Sequence, residues 1–190
     1  MATFKLTIPI SEDKIRELKV NDIVYVSGKV ITARDQAHKR ALEWSRKGIP
    51  LPFDLNGLVV FHCGPVMSKR EGKWMAVAAG PTTSMRMDMF EDEFIRTFKP
   101  RIIVGKGGMG DRTTNALAEA DAIYCAYTGG AAVLAAKSVK STKGVEWLDL
   151  GIPEAMWIFE VEMFGPLVVG IDSHGKNLFA NVAEEVEANK

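Results

Sequence analysis

The chain has 190 residues, 47% of them hydrophobic and 25% charged, and its 24 Lys and Arg are matched by 24 Asp and Glu. That balance excludes the strong positive field that gathers nucleic acid or an anionic membrane, although a local anion site needs only two or three converging cations. The composition excludes a disordered chain, and the length suits one well-buried core, so a single domain over residues 1–190 is expected.

Residues 1–14 hold no long apolar run, and no apolar stretch approaches the ~20 residues of a spanning helix. Cys63 and Cys125 both sit in strand-like apolar settings. They read as two buried thiols of a cytoplasmic protein rather than as a disulfide.

In chain order, Phe4 to Ile8 alternates apolar and polar as an edge strand does. Pro9 stops it, and Ser11-Glu12-Asp13 opens a short helical turn through Leu18. Residues 23–26 and 30–33 make two strand-like pieces on either side of Ser27-Gly28. An amphipathic helix begins at Arg34, with Ala37, Ala41, Leu42 and Trp44 as its inner face, and ends before Gly48-Ile49-Pro50. Residues 58–61 and 74–77 are further strands, joined by the charged loop 68–73. The second leads into residues 80–88, a polar loop with too little periodicity for either regular structure, and then into a short helix over 91–98.

The chain is organised around residues 101–114, RIIVGKGGMGDRTT. Ile102-Ile103-Val104 predicts a strand, residues 105–110 a flexible turn, and Asp111 the N-cap of a helix over 112–120. Free N–H groups at such a junction attract anions, and Lys106 adds a full positive charge. The next unit repeats the design, with a buried strand at 122–127, a turn at Thr128-Gly129-Gly130 and a helix over 131–137. If the two strands are parallel neighbours, both glycine-rich turns open on one sheet edge, the expected working face.

Residues 145–150, 157–164 and 167–171 then read as strands. Trp157, Phe159, Val161 and Met163 form the buried face of the middle one. Residues 172–175 read as a turn and 183–190 as a charged tail. A β-rich start followed by strand–helix alternation predicts an α/β domain with mixed sheets.

Several constellations carry candidate chemistry. Gly105, Gly107 and Gly110 satisfy the dinucleotide fingerprint G-x-G-x-x-G, but the acidic residue expected ~20 positions on is missing, because the next strand ends Ala126-Tyr127-Thr128. Lys106 inside the turn suits a carboxylate or phosphate better than a close-packed pyrophosphate. A non-catalytic nucleotide- or organic-anion-binding module using this turn is therefore one open reading, and a purely structural turn another.

Thr82 precedes Arg86 by four residues on a loop leaving a buried strand. A nearby guanidinium favours the anionic form of a hydroxyl, as a base requires, and arginine grips a carboxylate with two parallel hydrogen bonds. Arg34 and His38 share a helix face, which also reads as a solvated face carrying Lys39 and Arg40. His62 and His174 read as structural, and Asp172, Ser173 and His174 are adjacent residues that cannot form a triad. His62-Cys63 offers two metal ligands without spaced partners, so no metal site is expected.

Four motifs, taken together, resemble a known family. Ala33-Arg34-Asp35-Gln36-Ala37-His38, then Gly80-Pro81-Thr82-Thr83-Ser84-Met85-Arg86-Met87-Asp88, then Gly105-Lys106-Gly107-Gly108-Met109, then Thr128-Gly129-Gly130-Ala131-Ala132 occur in this order. They are similar to the β subunit, or C-terminal domain, of class I fumarases and the related L-tartrate dehydratases. The likeness runs from about Phe4 to Phe179, and Ser84-Met85 stands where the family commonly has Ala-Gly.

The resemblance implies a swivelling β/β/α-type single domain with mixed sheets that closes over a larger partner. The partner α subunit would hold a 4Fe–4S cluster through three cysteines. The implied reaction is reversible hydration of fumarate to (S)-malate, or dehydration of a close dicarboxylate such as L-tartrate. Thr82 would be the base, Arg34, Arg86 and Lys106 would bind the substrate carboxylates, and Asp35 and His38 would support them. Two cysteines cannot supply three ligands, so the chain is expected to be active only with its partner.

Overall fold

The computed structural model describes residues 1–188. Its elements in chain order are β1 (Thr3–Thr7), α1 (Glu12–Arg16), β2 (Ile23–Thr32), α2 (Asp35–Arg46), β3 (Val59–Phe61), β4 (Val66–Arg70) and β5 (Lys73–Ala78). Next come α3 (Asp88–Phe98), β6 (Ile102–Gly105), α4 (Asp111–Glu119), β7 (Ile123–Ala126), α5 (Ala132–Ser138), β8 (Val139–Glu146), β9 (Met156–Ile171) and α6 (Leu178–Ala188). The chain is a mixed α/β fold, as its alternation predicts. No helix among the described residues is long and apolar enough to cross a membrane.

The main sheet has seven strands in the order β1-β2-β3-β6-β7-β9-β8, and β2 pairs a second time with β9. Five strands, β2-β3-β6-β7-β9, thus close into a ring, with β1 and β8 flanking it. Strands β1, β2, β3, β6 and β7 are mutually parallel, and β9 runs antiparallel to β2, β7 and β8. The short central strands read as unbroken apolar runs because both of their faces are covered. Ile102, Ile103 and Val104 are all fully buried. Burying one side chain such as Ile103 or Phe159 contributes about 1.5–3 kcal/mol, and these residues belong to one continuous core.

Several expected boundaries shift for identifiable reasons. The two pieces around Ser27-Gly28 are one strand, bulged against β9 between Val24 and Gly28. Gly28 takes φ +116°, and a Cβ there would sit 3.1 Å from the Ile8 carbonyl oxygen, so glycine lets β1 pass close over the bulge. Most of the charged loop 68–73 is strand: β4 and β5 form a separate hairpin turned at Glu71-Gly72, both with positive φ. The last two expected strands are one continuous β9. Met163, expected on its buried face, is 40% exposed, because a positive φ there slips the alternation and hands the buried position to Phe164.

The strand expected over 145–150 begins earlier, at Val139, and ends at Glu146. Helix α3 starts at Asp88, three residues before the expected point. Gly110 rather than Asp111 caps α4. Trp44, expected on the inner face of α2, is only partly buried. The expected charged tail is helical through Ala188, and Asn189 and Lys190 lie outside the described residues.

Candidate active site

Parallel strands end at one edge, so the residues that follow them are neighbours whatever their sequence separation. Arg34 follows β2, His62 follows β3, Lys106 follows β6 and Gly129 follows β7. The loop over residues 80–88 is laid across this edge. Thr82 N–H donates to the His62 carbonyl at 2.7 Å, and Ser84 N–H donates to the Lys106 carbonyl at 2.9 Å. In return Lys106 N–H donates to Ser84 Oγ at 3.2 Å, and Thr83 bridges to Lys106 in parallel register. The loop has no period of its own because it borrows the hydrogen-bonding groups of two strand ends.

The candidate cations are tied to this loop. Arg86 donates through Nε to Asp35 Oδ1 at 3.2 Å and lies 2.9 Å from Asp35 Oδ2 through Nη2. Arg34 Nη2 lies 3.4 Å from Glu154 and 4.0 Å from Asp35. Gly64 makes room for it, since a Cβ there would run into the Arg34 side chain and the Pro153 carbonyl. The Lys106 side chain lies over Gly129, with Cδ 3.0 Å from where a Cβ would be.

Arg34, Arg86 and Lys106 are thus linked through Asp35, the threonine loop and the second glycine turn. Arg86 is 53% exposed, Lys106 is exposed and Thr82 is half-buried, so the cluster is an open face. Three cations facing two carboxylates leave one excess positive charge.

The dinucleotide reading meets a specific obstacle. The N-cap amide of α4, Gly110 N–H, already donates to Asp88 Oδ1 at 2.8 Å, and Thr113 Oγ1 donates to the same oxygen at 2.8 Å. A carboxylate of the chain therefore takes the place an anionic ligand would occupy. The Phe179 ring also lies against Gly108. A three-cysteine iron–sulfur cluster does not fit this chain either. Cys63 and Cys125 are the two cysteines, both are buried, and burial pushes both thiols well above their ordinary range.

Beneath the open face lies a group that sequence reasoning missed. His38, expected on a surface or in a supporting role, is fully buried, as are His62 and Glu91. Glu91 Oε2 lies 3.3 Å from His38 Nε2 and 3.2 Å from His62 Nε2. These three residues can each offer a metal-ligand atom within 4.8 Å of the others. Burial opposes charge on Glu91, but His62 and His38 outweigh it and hold the carboxyl down at about 2. Burial lowers His62, whereas for His38 the Glu91 charge overcomes burial and raises it.

On their outer sides, His38 Nδ1 lies 2.9 Å from the Arg34 carbonyl and His62 Nδ1 lies 3.0 Å from Ser84 Oγ. Tyr124 completes the layer, 3.0 Å from Ser84 Oγ and donating to the Gly107 carbonyl at 2.8 Å. A signal for Glu91 exists in the sequence: it precedes Phe94 and Ile95 by three and four residues, a carboxylate on an apolar stripe.

Comparison with known proteins gives the family of the chain. The model of the family described as Fumarase C-terminus matches residues 2–182. The L(+)-tartrate dehydratase subunit beta of Escherichia coli (strain K12) is 45% identical over 175 residues, covering 92% of this chain and 86% of the relative. A putative L(+)-tartrate dehydratase subunit beta of Methanocaldococcus jannaschii is 44% identical, covering 93% of this chain and 91% of the relative. A putative fumarate hydratase class I of Geobacillus stearothermophilus is 44% identical over 93% of this chain, which spans only 34% of that protein. With a family match across almost its whole length and relatives of this identity, the chain belongs to the family of class I fumarate hydratases and L(+)-tartrate dehydratase β subunits.

Proposed function

We propose that this chain is the β subunit of a two-subunit, iron–sulfur-dependent hydro-lyase that interconverts fumarate and (S)-malate, and that it supplies the base and the carboxylate-binding residues. The observation that carries the reading is the convergence of Arg34, the Thr82–Arg86 loop and Lys106 on one strand-end edge. A dicarboxylate needs several converging cations, and these come from three separate motifs.

The C3 proton of malate is a weak carbon acid, so its removal needs stabilisation of the developing charge. Thr82 takes that proton, and the surrounding cations favour its alkoxide form. Asp35 occupies Nε and Nη2 of Arg86 and leaves Nη1 for a substrate carboxylate. Lys106 and Arg34 hold the remaining carboxylate oxygens.

The cluster belongs to an α subunit, which also covers the open face. Exposed apolar side chains flank that face: Met89, 70% exposed, stands one turn beyond Arg86, and Leu134, 63% exposed, lies just after the second glycine turn. Such side chains suit a subunit contact better than bulk water.

A second reading keeps the chemistry and changes the substrate to L(+)-tartrate. It is favoured by the two-subunit relatives, which carry that name at 45% and 44% identity. Anaerobic assay of the chain with its α subunit on (S)-malate, fumarate and L(+)-tartrate decides between them. The reading fails if the isolated chain is robustly active or if Thr82→Val retains a normal kcat.

A further inference from the structure

We propose that His38, His62 and Glu91 form a buried, closed site for a divalent cation of the zinc class, ligated by Nε2 of each imidazole and by both carboxylate oxygens. The site stands on the hydrogen-bonding of these side chains and does not depend on the reaction proposed above.

Each imidazole is held at its outer nitrogen. His38 Nδ1 faces the Arg34 carbonyl at 2.9 Å, and a carbonyl only accepts, so Nδ1 carries a proton. The Tyr124 hydroxyl lies within donating distance of the Gly107 carbonyl, at 2.8 Å, and of Ser84 Oγ, at 3.0 Å. Ser84 Oγ also accepts from Lys106 N–H at 3.2 Å and lies 3.0 Å from His62 Nδ1. Both imidazoles turn Nε2 inward, where at 3.3 and 3.2 Å they meet the same oxygen of Glu91.

Two imidazole nitrogens converging on one buried carboxylate oxygen are the donor arrangement of a metal ion. Neither Nε2 and neither Glu91 oxygen makes an aligned hydrogen bond, although all three residues are fully buried.

A divalent ion satisfies both nitrogens. Tetrahedral zinc bonds of about 2.0–2.2 Å place neighbouring ligand atoms about 3.3 Å apart, and Glu91 Oε2 stands 3.3 and 3.2 Å from the two imidazole nitrogens. Imidazole with carboxylate is a donor set for zinc rather than for magnesium or calcium, which take oxygen. With Glu91 bidentate the coordination is complete and no position is open. The outer hydrogen bonds to the Arg34 carbonyl and Ser84 are of the kind that orient metal-bound imidazoles. The ion would then pin the start of α2 to the threonine loop and the lysine turn.

The test uses the full chain, made without a histidine tag and dialysed against EDTA, followed by elemental analysis and by refolding in Zn2+ or Co2+. Expected are about one tightly held zinc per chain, a tetrahedral cobalt absorption band, and a lower Tm in the metal-free chain. Glu91→Gln and His62→Gln should lose the metal. If those variants do not fold, Ser84→Ala keeps every ligand and should weaken zinc about 10–100-fold in a chelator competition. Three results overturn the site: a folded wild-type chain with substoichiometric zinc and a Tm indifferent to EDTA; zinc retained by folded Glu91→Gln; or zinc lost only with His174→Gln.

Discussion

The open cation face and the closed histidine layer lie on opposite sides of the same loop, and they obey opposite rules. Above residues 80–88, Arg86 and Lys106 reach solvent, so their charges are screened and cost the fold little. Below, His38, His62 and Glu91 have no solvent contact, so an unbalanced charge there threatens the fold itself. Ser84 joins the two layers, with its hydroxyl in the buried network and its backbone paired to Lys106. The face is built to act and the layer to hold, so substitutions should separate activity from stability along this line.

The largest separation is expected at Thr82. With the α subunit present, Thr82→Val should lower kcat by about 10²–10⁴-fold, the usual worth of a positioned base, with an unchanged Tm. A parallel loss of stability in thermal unfolding would break the contrast from the upper side.

Next comes Glu91→Gln, which leaves buried imidazoles without their counter-charge. It should cost about 3–5 kcal/mol in denaturant unfolding, and a loss below about 1 kcal/mol would show that the layer does not hold the fold. Gly105→Ala tests the seam itself, because its Cβ would fall on Ser84 Oγ and lie 3.1 Å from the Tyr124 hydroxyl. Overpacking of this kind costs about 1–3 kcal/mol, and here it should also raise KM by displacing Lys106.

On the open face, Arg86→Ala should raise KM strongly yet change stability by about 1 kcal/mol or less, since its pairing with Asp35 is half in solvent.

The smallest effect concerns pH. Burial opposes charge on Asp92, but Arg112 and then Arg96 outweigh it and hold the carboxyl below its usual range. A depressed carboxyl stabilises the fold above its ordinary pKa, and that contribution disappears as pH falls through the lowered one. Unfolding measured from about pH 5 down to pH 2 should therefore be less pH-dependent in Asp92→Asn than in the wild-type chain.

Much of this was legible in the residues. The strand-turn-helix order around Lys106 is present as expected, and β6 and β7 are parallel neighbours whose glycine turns share an edge. The placement of cations beside glycine and threonine turns is a local pattern, and so is the family likeness that the relatives bear out. The errors cluster where pairing overrides local preference: the bulge that fuses β2, the hairpin hidden in a charged loop, and the slipped alternation at Met163.

Local periodicity and turn chemistry act over a few residues, so the chain by itself settled the central strand–turn–helix units and which motifs carry its cations. Whether His38, His62 and Glu91 meet depends on a helix, a strand end and another helix being brought together by sheet closure and core packing. No spacing along the chain encodes that distance. The same closure put Asp35 under Arg86 and Ser84 under Lys106, and so decided which side chains face water and which face one another.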